Sequence, residues 1–324
     1  MGVRNRAIEA FRAVDGDARH WQILALSGLF SISFLTSDFG AKPINLGMAV
    51  FGAMVAQMAG AVLTKSAFQW KSALITSLSL SILLRATSPW LWFAAGLIGV
   101  GLKFAVRFNG KHIFNPACIG IVIVMLVFGR DAWVSPGQWG QAPLLAGYAL
   151  ALAALVLSSA KRLDIALGFL VSFAAIMIGR AIWLGDPLSI PLHNLSSGAL
   201  LVFAFFMITD PRSTPDSRVG RIIFAMSVAA LAAWFVIGPN VRGAHLMALA
   251  ALAILTPVLD RVFRANRFEW QAQAAPPSEA LRAPPPPSLD FAQDEGEDYT
   301  SQQETSDDQE NCVGVRARPR FLRA

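Results

Sequence analysis

The chain has 324 residues, of which 55% are hydrophobic and only 15% charged, with a mean hydropathy of +0.51. A soluble domain carries roughly 25% charged residues, so the composition argues against an ordinary soluble protein and for an all-α integral membrane protein. The net charge of +6 and the pI near 9.8 come from Arg and Lys flanking apolar runs, which is a membrane pattern and not a nucleic-acid surface.

Residues 1–20, MGVRNRAIEAFRAVDGDARH, are charged throughout and read as a cytoplasmic segment rather than a cleaved signal. A transmembrane domain over 21–267 follows. It holds ten apolar segments, at 22–37, 44–64, 72–85, 88–106, 113–129, 143–160, 164–184, 196–209, 219–237 and 243–260. Most approach the roughly 20 residues a helix needs to cross a bilayer, whereas 72–85 and 196–209 are short. With the N-terminus in the cytoplasm, seventeen Lys and Arg fall in inside loops and five (Lys42, Arg85, Arg130, Arg180 and Arg242) in outside loops. That bias predicts about ten transmembrane helices in the cell (inner) membrane, with both termini cytoplasmic. Trp21, Trp70, Trp90, Trp92, Trp133, Trp139 and Trp183 fall at segment ends, as an interfacial belt requires.

The order of segments suggests two inverted five-helix repeats, 21–130 and 143–262. Thr87-Ser88-Pro89 and Thr209-Asp210-Pro211 end matching segments; Gly110-Lys111-His112 and Gly243-Ala244-His245 open matching segments. Short segments at matching places in inverted halves point to a midplane site. Residues 268–324 are Pro-rich and then acidic, with nine carboxylates between Asp290 and Glu310, and read as a disordered cytoplasmic tail.

The stretch Phe104–Val127 puts Arg107, Lys111 and His112 just before Asn115-Pro116. Asn is a good N-cap and Pro suits the first helical turn. A helix therefore starts near Pro116, its positive end facing three basic groups and no acid between 107 and 127. Two readings fit: an anion site for phosphate or carboxylate, or a basic loop that only sets topology. The loop 208–221 holds Asp210, Arg212, Ser213, Thr214, Asp216, Arg218 and Arg221; it suits a phosphate or is a capped turn. Ser77, Ser79 and Ser81 alternate, which fits either irregular backbone lining a cavity or small residues packing helices. The two cysteines, Cys118 and Cys312, make no metal motif, and there is no GxGxxG for a nicotinamide.

The strings FNGKHIFNPA (Phe108–Ala117) and FFMITDPRSTP (Phe205–Pro215), with LTPVLDR near the end of the domain, resemble the NqrB/RnfD family. That family comprises the NqrB subunit of sodium-translocating NADH:quinone reductase and the RnfD subunit of the Rnf electron-transport complex. The resemblance covers residues 20–267 and implies a ten-helix inverted-repeat fold, flavin-mediated electron transfer and redox partner subunits. In that family a Thr before the sixth span carries FMN as a phosphoester. The matching string here is Trp139-Gly140-Gln141-Ala142-Pro143-Leu144. Alanine has no hydroxyl, so covalent FMN at Ala142 is not expected; the nearest hydroxyl is Ser135. The chain is similar to shortened, stand-alone relatives of the kind found beside biosynthetic genes such as those for enediynes. The expected cofactor is non-covalent FMN or riboflavin, or a quinone, held by Arg107, Lys111, His112 and Asn115 with Thr209, Asp210, Arg212 and Thr214. The alternative is an inverted-repeat transporter or channel for a small solute.

Reporter fusions after Arg130 and after Lys161 will report opposite sides of the membrane. The same side for both removes the sixth span and the inverted repeat.

Overall fold

The computed structural model describes residues 18–35, 42–134 and 162–267. The sixth apolar segment, Ser135, the Ala142 position and the tail lie outside the described residues. Helices occupy the other nine segments. They are α1 (Ala18–Leu35), α2 (Pro43–Leu63), α3 (Trp70–Leu83), α4 (Trp90–Ala105), α5 (Pro116–Phe128) and α6 (Leu163–Leu184). Next come α7 (Ser189–Leu195) and α8 (Gly198–Val202), the latter running into a π-helical turn over Phe203–Met207. The last are α9 (Arg218–Ile237), α10 (Ala244–Leu252) and α11 (Thr256–Val262).

Among the described residues, four helices are long and apolar enough to cross a membrane: Pro43–Thr64, Leu163–Leu184, Arg218–Ile237 and Ala244–Val262. The pair Ser189–Leu195 and Gly198–Met207, bent by 48°, adds a fifth if it is one broken span. Their outer faces carry bare apolar groups, such as Trp183 at 84% exposure and Val171 at 66%. Surfaces of this kind belong against lipid, and the chain is a multi-pass membrane protein.

The central helices are shorter than the apolar segments that contain them. The 13 residues of α5 and 14 of α3 rise only about 20 Å at 1.5 Å per residue, against roughly 30 Å of hydrocarbon. Two small antiparallel ribbons at the helix ends depart from a purely helical reading. β1 (Leu84–Ala86) leaves α3 and pairs with β4 (Ala132–Val134), which follows α5. β2 (Arg107–Phe108) pairs with β3 (Lys111–His112). Asn109 and Gly110 join them with φ of 48° and 75°, and a two-residue type I′ hairpin needs positive φ at both positions. The β1–β4 pairing and this hairpin place the non-helical backbone against protein, which membrane depth requires.

The serine alternation in α3 marks no irregularity. The helix is regular, and Ser77 and Ser81 donate their hydroxyls to the carbonyls of Ala73 and Ser77 at 2.9 and 2.8 Å. Small residues fix the contact of α2, α4 and α5. A Cβ on Gly96 would meet the Ala49 carbonyl at 2.6 Å, and one on Gly52, Gly99 or Gly120 would collide with the carbonyls of Phe93, Pro116 and Ala95. Such backbone-to-backbone contact is how helices associate where the hydrophobic effect gives no drive.

Gly99→Val will therefore push α4 off the start of α5. The expected cost is roughly 1–3 kcal/mol of overpacking, read as a lower Tm in detergent. Gly101→Ala, whose Cβ would have open space around it, will leave Tm near the wild-type value.

Candidate functional site

Asn115 organises the site. Its side-chain oxygen accepts the Cys118 N–H at 3.0 Å, capping α5 as the sequence predicts, with Pro116 at the first position. Its amide nitrogen donates to the Met207 carbonyl at 3.2 Å. Met207 ends the π-helical turn, in which Ile208 N–H reaches back five residues to the Phe203 carbonyl. One side chain thus caps a helix of the first half and joins it to a backbone irregularity of the second. π-Turns of this kind concentrate at functional sites.

A polar cavity of about 80 Å³ lies beside that joint. Its floor is one stripe of α3, Ser72, Thr76 and Ser79, at the three- and four-residue spacing that shares a helix face. Lys103 comes from the last turn of α4, and Arg19 and Gln22 from α1. His112, Asn115, Thr209, Asp210 and Arg212 complete the wall. The space is well below the roughly 300–1,000 Å³ of a whole small-molecule site. It takes a head group or a ring edge, with the rest of a ligand outside.

A second cavity of about 210 Å³ lies on the other side of the hairpin, lined by Phe108, Lys111, His112, Asp216, Asp260 and Arg267 among others. His112 borders both. Around this second cavity charge is matched. Lys111 Nζ donates to the Thr214 carbonyl at 2.8 Å and lies 2.9 Å from Asp260 and 3.0 Å from Asp216. An ammonium has three donors, and all three are filled. Asp260 also accepts the Asp216 N–H at 2.8 Å. Nearby, the Arg221 guanidinium grips both oxygens of Asp164, its Nε at 3.1 and 2.9 Å.

The acids missing between 107 and 127 therefore come from the other half of the chain, and the basic hairpin is not a free positive patch. Of the eight residues read from sequence, His112, Asn115, Thr209, Asp210 and Arg212 line the smaller cavity. Lys111 faces the larger one. Arg107 is exposed; its Nε donates to the Lys103 carbonyl at 2.9 Å and its guanidinium lies over the Phe104 ring. Thr214 is fully buried and gives its hydroxyl to the Asp210 carbonyl at 2.8 Å, so it braces the loop. Sequence reasoning misses Lys103, Gln22, Ser72 and Thr76. Lys103 does carry a signal, a single cation in the otherwise apolar run 88–106, but a charge count assigns it to orientation.

Comparison with known proteins gives one family model, described as the NQR2, RnfD, RnfE family, matching residues 134–269. The chain is also similar to proteins named as the RnfD subunit of an ion-translocating oxidoreductase complex. That of Alcanivorax borkumensis is 28% identical, with 62% of this chain and 77% of the relative covered. Those of Pseudomonas paraeruginosa and Stutzerimonas stutzeri are 29% and 28% identical, with 63% of this chain and 77% of each relative covered.

Among the described residues, Asp210 is the one carboxylate lining the smaller cavity. Burial pushes its pKa up, but the hydrogen bond and charge of His112, the Arg212 N–H and the Ser213 hydroxyl outweigh it and hold the group down at about 2. His112 Nε2 lies 3.2 Å away. A carboxylate held low contributes stability that is full above its ordinary pKa near 4 and is lost as pH falls toward 2. Acid titration of the purified protein will show wild-type stability falling between about pH 4 and 2. Asp210→Asn will be less stable at neutral pH and flatter across that window; an unchanged slope contradicts the assignment.

Proposed function

The chain belongs to the NQR2, RnfD, RnfE family, and from that premise we propose that it is a membrane electron-transport subunit binding a flavin or a quinone non-covalently. The observation that carries this is the smaller cavity. Both sequence motifs, one from each half, converge on it, and Asn115 joins them through the π-turn. In this reading the chain has ten spans in inverted repeats, cytoplasmic termini in the cell membrane, and redox partner subunits that give and take electrons. Gly110 and Gly243, the matched glycines, share the left-handed conformation at φ of 75° and 69°, which favours the repeat.

The donor set suits the oxygen-rich edge of a flavin or quinone. Lys103 and the amides of Gln22 and Gln69 are donors, Ser72 and Thr76 are hydroxyls, and Phe206 gives an apolar wall. The cofactor, when bound, supplies the electron storage. The chain's residues bind and orient it and set the charge around it. Ala142, in place of the hydroxyl that carries the phosphoester in the family, favours non-covalent attachment.

Purified protein will carry a flavin or a quinone that acid or organic solvent releases, and a denaturing gel will show no flavin fluorescence. A fluorescent band would mean covalent attachment, with Ser135 as the first candidate. Protein with neither flavin nor quinone would contradict the proposal and favour the transporter.

A further inference from the structure

We infer that the smaller cavity recognises an anionic oxygen group, a phosphoryl group, through the ammonium of Lys103. The inference depends on the cofactor reading only for naming FMN as the carrier of that group.

Lys103 is buried, at 8% exposure, in the last turn of α4. Its Nζ donates to Gln57 Oε1 at 3.2 Å and to Ser72 Oγ at 3.0 Å, both neutral. The Phe104 ring lies 5.5 Å away. Among the described residues no carboxylate stands within ion-pair distance and no acceptor takes the third N–H. Lys111 is the contrast, because its three donors meet two carboxylates and a carbonyl. An uncompensated buried charge is costly, and an ionisable group at membrane depth is by default functional. A neutral residue of the same length would pack there at less cost.

The remaining lining gives Lys103 no counter-charge. Asp210 is occupied: Oδ2 by His112 and Ser213, Oδ1 by the Arg212 N–H. Arg19 and Arg212 add two more cations to the wall. Among the described residues, the one contact of the Arg212 guanidinium within hydrogen-bond range is a 3.5 Å approach to the Gly110 carbonyl. Three permanent cations thus stand against one committed carboxylate, around a space sized for an oxyanion and several waters rather than for a flavin ring. A phosphoryl group placed there completes the third donor of Lys103 and matches the excess charge. In FMN, the phosphate end enters and the ring lies at the rim.

FMN and riboflavin differ by that phosphate alone, so their affinity ratio reads the site. Titrated into the flavin-free full-length protein in detergent, FMN will bind at least about tenfold more tightly than riboflavin, as one charge-assisted contact is enough to give. Inorganic phosphate will compete with FMN and not with riboflavin. Lys103→Met will bring the ratio close to one, and Arg212→Gln, at the half-exposed rim, will lower it. Arg212→Gln also carries the test if Lys103→Met fails to elute as a folded species. Equal affinities in wild type, or an FMN preference that survives both variants, overturn the inference and leave the flavin reading standing. If neither flavin binds while phosphate raises the Tm of wild type and not of Lys103→Met, the anion site stands and the flavin reading falls. No response to FMN or phosphate overturns both.

Discussion

Three central helices are too short for the layer they sit in, and the rest of the structure answers that constraint. Helices α3, α4 and α5 end inside the thickness of a bilayer, where each unsatisfied backbone group would cost several kcal/mol. One set of ends is closed by the β1–β4 pairing. The other set is closed by the hairpin, by the Asn115 cap and by the loop after Met207. Closure at that second end leaves a polar cavity beside buried helices. A full-length helix would carry its polar ends out to water and leave no such space.

The same constraint sorts the charges. Cations that serve closure are saturated: Lys111 on Asp216 and Asp260, Arg221 on Asp164. These contacts are partly buried and hydrogen-bonded, so they join the halves more firmly than exposed pairs would. Lys103 is different in kind, since it has neutral neighbours and a donor to spare. The distinction between a bracing cation and a binding cation is geometric, and it decides which face of the hairpin can meet a ligand.

Much of the fold is legible in the sequence, and the failures have physical causes. Apolar runs locate nine of the segments because lipid contact demands them. Asn115-Pro116 announces a helix start because capping is local. Asn109-Gly110 announces a hairpin for the same reason, although its flanking charges disguise it as a simple loop. The serine alternation misleads because small hydroxyl residues satisfy themselves on their own helix, leaving no period to read. The partners of His112 and Lys111 lie 98 and 149 positions away, and nothing local shows that an acid will come from the other half. Lys103 is visible as a cation within an apolar run, but only the placement of Gln57 and Ser72 shows that it lacks a counter-ion. The π-turn over Phe203–Met207 has no composition signal, because its five apolar residues would equally form an α-helix.

The central claim is that a redox cofactor is held where the two halves meet. Photolabelling with an azido-flavin, followed by peptide mapping, tests the location directly. The account predicts labelled peptides from the elements that bound the smaller cavity, residues 69–79, 103–117 and 206–212, with labelling suppressed by excess FMN. Suppressible labelling confined elsewhere, for example to the middle of Leu163–Leu184, would contradict it.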